Sequence, residues 1–263
     1  MKTVYLRELK LNLKSLIIWS LTVGGLGLSC ILMYTSMNSD MKDMADMFSN
    51  MGAFSDAFGM STLSIASLEG FFATEVGVVH GLGSGMFAAL CTIGIISKEE
   101  ERHSGEFLLS LPISRIRVAA AKGLCVLTML VVFTAVCAVL YVTGFMILNE
   151  EISYAEFADF MIKQFLMNLE ISAICFLISA LSDRIKTGAG LGLAMIFYVY
   201  DLIGRVVPDL KDYLFFGPYS YCNASEIFSG EDPCISGIVV SAIVTVACIA
   251  AAFIGYNRRD LKS

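Results

Sequence analysis

Five ionisable side chains stand in or beside long apolar stretches of this sequence: Glu75, His80, Glu170, Asp201 and Arg205. An ionisable group at bilayer depth costs roughly 2.5 kcal/mol or more unless it is paired or hydrated, so each of these needs a partner or a task. Asp201 and Arg205 are four residues apart, the spacing that puts two side chains on one helix face, and they are expected to pair. Glu170 lies in the middle of its apolar run with no local counter-charge, and must meet a neighbouring helix, a wet cavity or a proton. His80 can meet it only if their two helices are adjacent. Proton relay and solute binding are the chemistries open to such a set. No residue set has the pattern of a catalytic site, and no Cys/His spacing suits a metal. No G-x-x-x-x-G-K-[ST] run is present to cradle a nucleotide, and Gly81-Leu82-Gly83-Ser84-Gly85 lacks the Lys-Ser/Thr that a phosphate loop needs.

The elements that must carry these residues follow from composition. Of 263 residues, 57% are hydrophobic and 16% charged, with a mean hydropathy of +0.74; about a quarter charged is usual for a soluble domain. About 20 consecutive apolar residues cross the hydrocarbon core, and six runs qualify: 15–37, 75–97, 118–148, 160–181, 187–207 and 234–256. The expected fold is all-α, a multi-pass integral membrane protein forming one domain over 1–263. Leu6, Leu9 and Leu13 share a helical face among Lys2, Arg7, Lys10 and Lys14, which predicts an interfacial helix ahead of the first span. In span two, Gly77, Gly81, Gly85 and Ala89 recur every four residues, a small-residue stripe that lets helix backbones approach closely.

With both termini inside, fourteen of the 18 Lys and Arg fall in the inner segments, which orients the chain in a cell membrane with both termini cytoplasmic. The net charge of −6 is thus divided by side, and nothing points to nucleic acid. Of eight cysteines, six (Cys30, Cys91, Cys125, Cys137, Cys175, Cys248) sit in apolar runs and read as small core residues. Cys222 and Cys234 fall outside. A bridge between them would close a loop of about a dozen residues and stabilise it by roughly 3 kcal/mol; two free thiols are the alternative. Between spans five and six, 208–232 is rich in aromatics (Tyr213, Phe215, Phe216, Tyr219, Tyr221) yet broken by Gly217-Pro218. A re-entrant or surface-lying pair of short helices is expected there.

The chain is organised around Ser97–Gly123, a charged island between spans two and three. It opens with Lys98-Glu99-Glu100-Glu101-Arg102, turns amphipathic at Gly105-Glu106-Phe107-Leu108-Leu109, breaks at Pro112 and restarts at Ser114-Arg115, where Ser114 can cap span three. The apolar side of its short helix has no bilayer to enter, and such a face docks on another protein. The acidic cluster, Arg, Gly-Glu, Leu-Leu, Leu-Pro-x-Ser-Arg and a Lys (Glu99, Glu101, Arg102, Gly105, Glu106, Leu108, Leu109, Pro112, Ser114, Arg115, Lys122) resemble the first cytoplasmic loop of ABC-2-type ABC transporter permeases.

In that family the loop forms a coupling helix that plugs into a separate ATP-binding subunit. The resemblance implies a permease subunit of an ATP-driven exporter, not itself an enzyme. Two membrane subunits, copies of this chain or a related pair, would assemble with two ATP-binding subunits that hold ATP and Mg, this chain binding no cofactor. Glu99, Glu101, Arg102, Gly105, Glu106, Phe107, Leu108, Leu109, Pro112 and Arg115 would then bind the partner. The path would run between subunits, lined by spans one, two and five, with Phe215, Phe216 and Tyr219 as its outer gate and His80 and Glu170 as candidates along it. The cargo implied is a peptide antibiotic, a drug or a lipid-like molecule. The rival is a proton-coupled secondary transporter working through Glu170, His80 and Asp201; such proteins usually carry inverted repeats, and none is legible here.

Overall fold

The computed structural model describes residues 1–49, 55, 63–101, 114–150 and 152–259, with side chains for all of these except 37–49. The described residues are helical and contain no strand. Helix α1 runs Lys2–Ser49; α2 (Leu68–Phe71) passes through a π-helical turn, Phe72–Val76, into α3 (Gly77–Thr92); α4 is Lys98–Glu101. Then follow α5 (Arg115–Leu148), α6 (Tyr154–Leu181), α7 (Thr187–Val206), α8 (Pro208–Lys211), a 3-10 turn at Leu214–Phe216, α9 (Ala224–Phe228) and α10 (Ile235–Arg258).

Helices α1 (over Lys2–Ser36), α5, α6, α7 and α10 are long and apolar enough to cross a membrane, five in all among the described residues. The most apolar window of α6 is 61% buried, against 17% for α7 and for α10, so α6 is the central helix. Helix α10 packs along α6, α1 along α5, and α3 is wedged between α1, α6 and α7. The outward faces keep Leu21, Leu26, Val139, Ile196 and Val246 exposed. Such a continuous apolar exterior suits lipid and not water.

Local chemistry ends the helices where it should. Asn149 stops α5 in the left-handed conformation (φ 53°), which asparagine tolerates. Val207, preceding Pro208, is extended, which separates α7 from α8. Asn223 caps α9, its side-chain oxygen accepting from the Ser225 and Glu226 amides.

Three expectations need correction. No separate interfacial helix precedes the first span: the basic stretch is the opening of one unbroken α1, and the residues it turns inward are Val4, Glu8 and Leu16, while Leu6 and Leu13 are exposed. The second expected span, 75–97, is helical from Leu68 to Thr92 and then gives way to turns over 93–97, so it falls outside the five long helices. The outer segment holds three short helical pieces rather than two, with Tyr219, Tyr221 and Phe228 buried in the bundle core. Ser114 does occupy the N-cap position of α5, but its hydroxyl makes no capping bond.

Candidate functional site

At the end of the bundle where α1 begins and α10 ends, charged side chains gather around α4. Lys122, 1% exposed on α5, donates to the Ile95 carbonyl and pairs with Glu99. Glu8 of α1 lies 3.4 Å from the same ammonium and pairs with Lys98 through its other oxygen. Two lysines and two glutamates therefore compensate one another, which a buried quartet requires.

Glu100, also buried, pairs with Arg259 just past α10, and Arg115 Nη1 donates to the Arg259 carbonyl at 2.6 Å. Burial pulls the Arg259 guanidinium below its usual pKa. Glu101 stays exposed, its Oε2 accepting the Ile185 amide at 2.8 Å from the turn between α6 and α7. Ser179 of α6 accepts from the Ile96 and Ser97 amides at 3.0 and 3.2 Å. The 93–101 stretch is thus stitched to α1, α5, α6, the α6–α7 turn and the end of α10. Of the expected partner-binding residues, Glu99, Glu101 and Arg115 belong to this hub. Arg102, Gly105, Glu106, Phe107, Leu108, Leu109 and Pro112 lie outside the described residues.

The polar residues of the bundle interior separate into distinct environments. His80 is fully buried, its Nδ1 3.0 Å from the Tyr141 hydroxyl and its ring centroid 6.1 and 5.8 Å from those of Phe133 and Phe160. Glu170 is buried beside the hydroxyls of Ser241 and Tyr221, which hydrogen-bond each other at 2.8 Å. Phe160 precedes Glu170 by ten residues on α6, so His80 and Glu170 are offset by roughly 15 Å along that helix axis. Asp201 and Arg205 pair as their spacing predicts, Nε to Oδ2 at 2.8 Å, and Arg205 also takes Glu226 of α9. The structure therefore does not bring His80, Glu170 and Asp201 together.

The outer aromatic residues divide in the same way. Tyr219 is buried, its ring 5.5 Å from that of Tyr198 and its hydroxyl 3.4 Å from the Gly81 carbonyl. The Phe215 and Phe216 rings meet at 4.2 Å, tilted by 33°, with Phe216 58% exposed, so one aromatic turns into the bundle and this pair lies at its surface. Beneath Tyr219 is a cavity of about 60 Å³ bordered by Gly81, Gln164, Tyr198, Asp201 and Asn223. Gln164 Nε2 donates to the Cys222 carbonyl at 3.1 Å.

The bridge considered between Cys222 and Cys234 is not formed; both thiols are free. Cys222 donates to the Pro218 carbonyl at 3.2 Å, and burial pushes its pKa well above the usual thiol value, whereas Cys234 lies 3.5 Å from Ser236 Oγ.

Glu8, Glu100, Arg259, Glu226, Tyr221 and Ser241 were not legible as site residues. Glu8 had one signal, being the sole acid among the basic opening residues. Lys122 had another, as a lone charge inside an apolar run.

No curated protein matches the chain. Residues 8–257 match the family described as "Multidrug efflux system permease Rv1217c, C-terminal domain", a match that covers all of the membrane-crossing helices save the first turns of α1 and the last residue of α10. The chain belongs to that family of multidrug efflux permeases.

Proposed function

We propose that this chain is the membrane subunit of an ATP-driven exporter of ABC-2 type, moving drug-like or other amphipathic cargo with ATP hydrolysed on a separate subunit. The observation that carries this reading is the match of residues 8–257 to a multidrug efflux permease family. In it the chain crosses the membrane six times with both termini cytoplasmic, the sixth crossing being the continuous helical stretch Leu68–Thr92. At 1.5 Å per residue that stretch is on the order of 37 Å long, enough to span. Gly105–Leu111 is the coupling helix, and two such permeases flank the path.

The hub supports the coupling role because both ends of the 102–113 segment are held. Glu99, Glu100 and Glu101 fix the departing end; Arg115 fixes the returning one. A short segment held at both ends passes displacement into the bundle.

The test is export of a fluorescent cationic dye from cells of the source organism that express the chain, with and without each candidate Walker-type ATPase, and co-purification of the ATPase that binds it. Export is expected to need the ATPase, to stop with vanadate and to persist with a protonophore. Leu108→Asp is expected to lose both the ATPase and export while still inserting. Dye export that survives without any ATPase but collapses with the protonophore would refute the reading.

A further inference from the structure

Helices α3, α5, α6 and α10 leave a groove of about 340 Å³ between them, within the roughly 300–1,000 Å³ usual for ligand sites. Its walls are Leu124 and Leu127 of α5, Leu169 and Phe176 of α6, and Ile249 and Phe253 of α10. Two hydroxyls border it and both are committed: Thr92 Oγ1 and Ser172 Oγ donate to the same Ala88 carbonyl, at 2.8 and 3.3 Å. A ligand there meets carbon and no free hydrogen-bond donor. Leu124 and Ile249, 49% and 37% exposed, leave the groove open on the outer surface of the bundle.

Depth identifies the occupant. At 1.5 Å per residue, the six wall residues lie roughly 8–18 Å from the hub-bearing ends of their helices, and half of the hydrocarbon core is about 15 Å. With those helix ends set at the bilayer surface, the groove lies in the acyl-chain layer of the leaflet beside the charged hub and reaches about the midplane. Arg117 stands on the same face of α5, three residues before the groove residue Ala120, and it is exposed. Its neighbours are engaged, Arg115 with the Arg259 carbonyl and Arg259 with Glu100, while Arg117 forms no ion pair among the described residues. A cation at headgroup depth above a groove with no free hydrogen-bond donor is complementary to a negatively charged head on an aliphatic tail.

We propose that this groove binds an anionic phospholipid, one acyl chain lying between α5, α6 and α10 and its phosphate on Arg117. The orientation proposed above makes this the cytoplasmic leaflet, but the site itself needs neither that orientation nor ATP-driven export. Basic residues at the ends of membrane helices recognise anionic headgroups in this way.

The test is native mass spectrometry of the purified full chain released from nanodiscs of equimolar phosphatidylglycerol and phosphatidylcholine, comparing wild type, Arg117→Gln and Gly123→Leu. A Cβ at Gly123 meets only Phe176, at 3.7 Å, so the leucine fills the groove without pushing on backbone. Wild type is expected to retain phosphatidylglycerol over phosphatidylcholine, and Arg117→Gln to lower that preference about fivefold. Gly123→Leu is expected to lose both lipids. Equal retention of the two lipids by wild type, or undiminished preference in Arg117→Gln, overturns the proposal even if Gly123→Leu fails to fold. A folded Gly123→Leu that keeps its lipid overturns it as well. If Gly123→Leu changes the oligomer mass and leaves lipid unchanged, the groove belongs to a second copy of the chain and the lipid site is refuted.

Discussion

Lys122 shows how much a single charge can hold. Its ammonium is 1% exposed and serves Glu99, Glu8 and the Ile95 carbonyl together. Replacing it with methionine keeps most of the volume but removes the positive charge that Glu99 and Glu8 share. Loss of one partner from a buried ionic cluster costs about 3–5 kcal/mol, far more than the cluster contributes over an apolar substitute. Lys122→Met is therefore expected to lower the unfolding temperature in detergent sharply, and Lys122→Met with Glu8→Gln and Glu99→Gln to regain part of the loss. An unchanged melting temperature in the single variant would show that the quartet is wet and screened. A lone lysine inside an apolar run announces that it needs partners, but only the packing of α1 against α5 decides that Glu8 is one of them.

Among the elements, α3 and its π-helical entrance carry the closest packing. The π turn sets Phe72 among Tyr141, Phe145, Phe157, Phe160 and Phe228, with ring centroids 5.5–5.9 Å away, and this ties α5, α6 and α9 to α3. The glycine stripe behind it was legible as a site of close approach, but its occupant was not: a Cβ at Gly85 would overlap the Tyr219 hydroxyl, and one at Gly77 would crowd Ala224. The stripe receives the outer segment as well as neighbouring helices. At Gly81 the same added carbon stays 3.7 Å or more from Gln164 and Tyr219, an ordinary contact. Alanine gains about 0.5–1 kcal/mol over glycine within a helix, whereas overpacking costs about 1–3 kcal/mol. Gly81→Ala is accordingly expected to be neutral or stabilising and Gly85→Ala destabilising. Displacement of Tyr219 in Gly85→Ala should also raise alkylation of the buried Cys222 by a maleimide, read site by site in a mass spectrum. Equal melting shifts and equal Cys222 labelling in the two variants would dismiss Tyr219 as the group held by the stripe.

At the scale of the whole molecule, the apolar runs made the long helices legible, because roughly 20 consecutive apolar residues have few other uses. They could not show that α1 runs unbroken from Lys2, since an interfacial helix and the first turns of a span share one pattern of leucine and lysine. Nor could they show which helix ends meet. Arg259 is the case in point: its side chain pairs with Glu100 and its carbonyl accepts from Arg115, so one residue past α10 holds both flanks of the 102–113 segment. In the coupling role proposed above, a partner acting on that segment would be felt first at the end of α10. The Glu100 and Arg259 side chains are 6% and 21% exposed, so water screens their attraction only in part. Glu100→Arg and Arg259→Glu should each destabilise the bundle, and the double exchange should recover part of the loss, with a coupling of about 1–3 kcal/mol in a double-mutant cycle. If the ATP-driven reading proposed above holds, each single variant should still bind the ATPase while exporting less dye per ATP hydrolysed, and the double should regain efficiency. Strictly additive melting shifts, or single variants that lose the ATPase outright, would mean that this ion pair does not link the segment to α10.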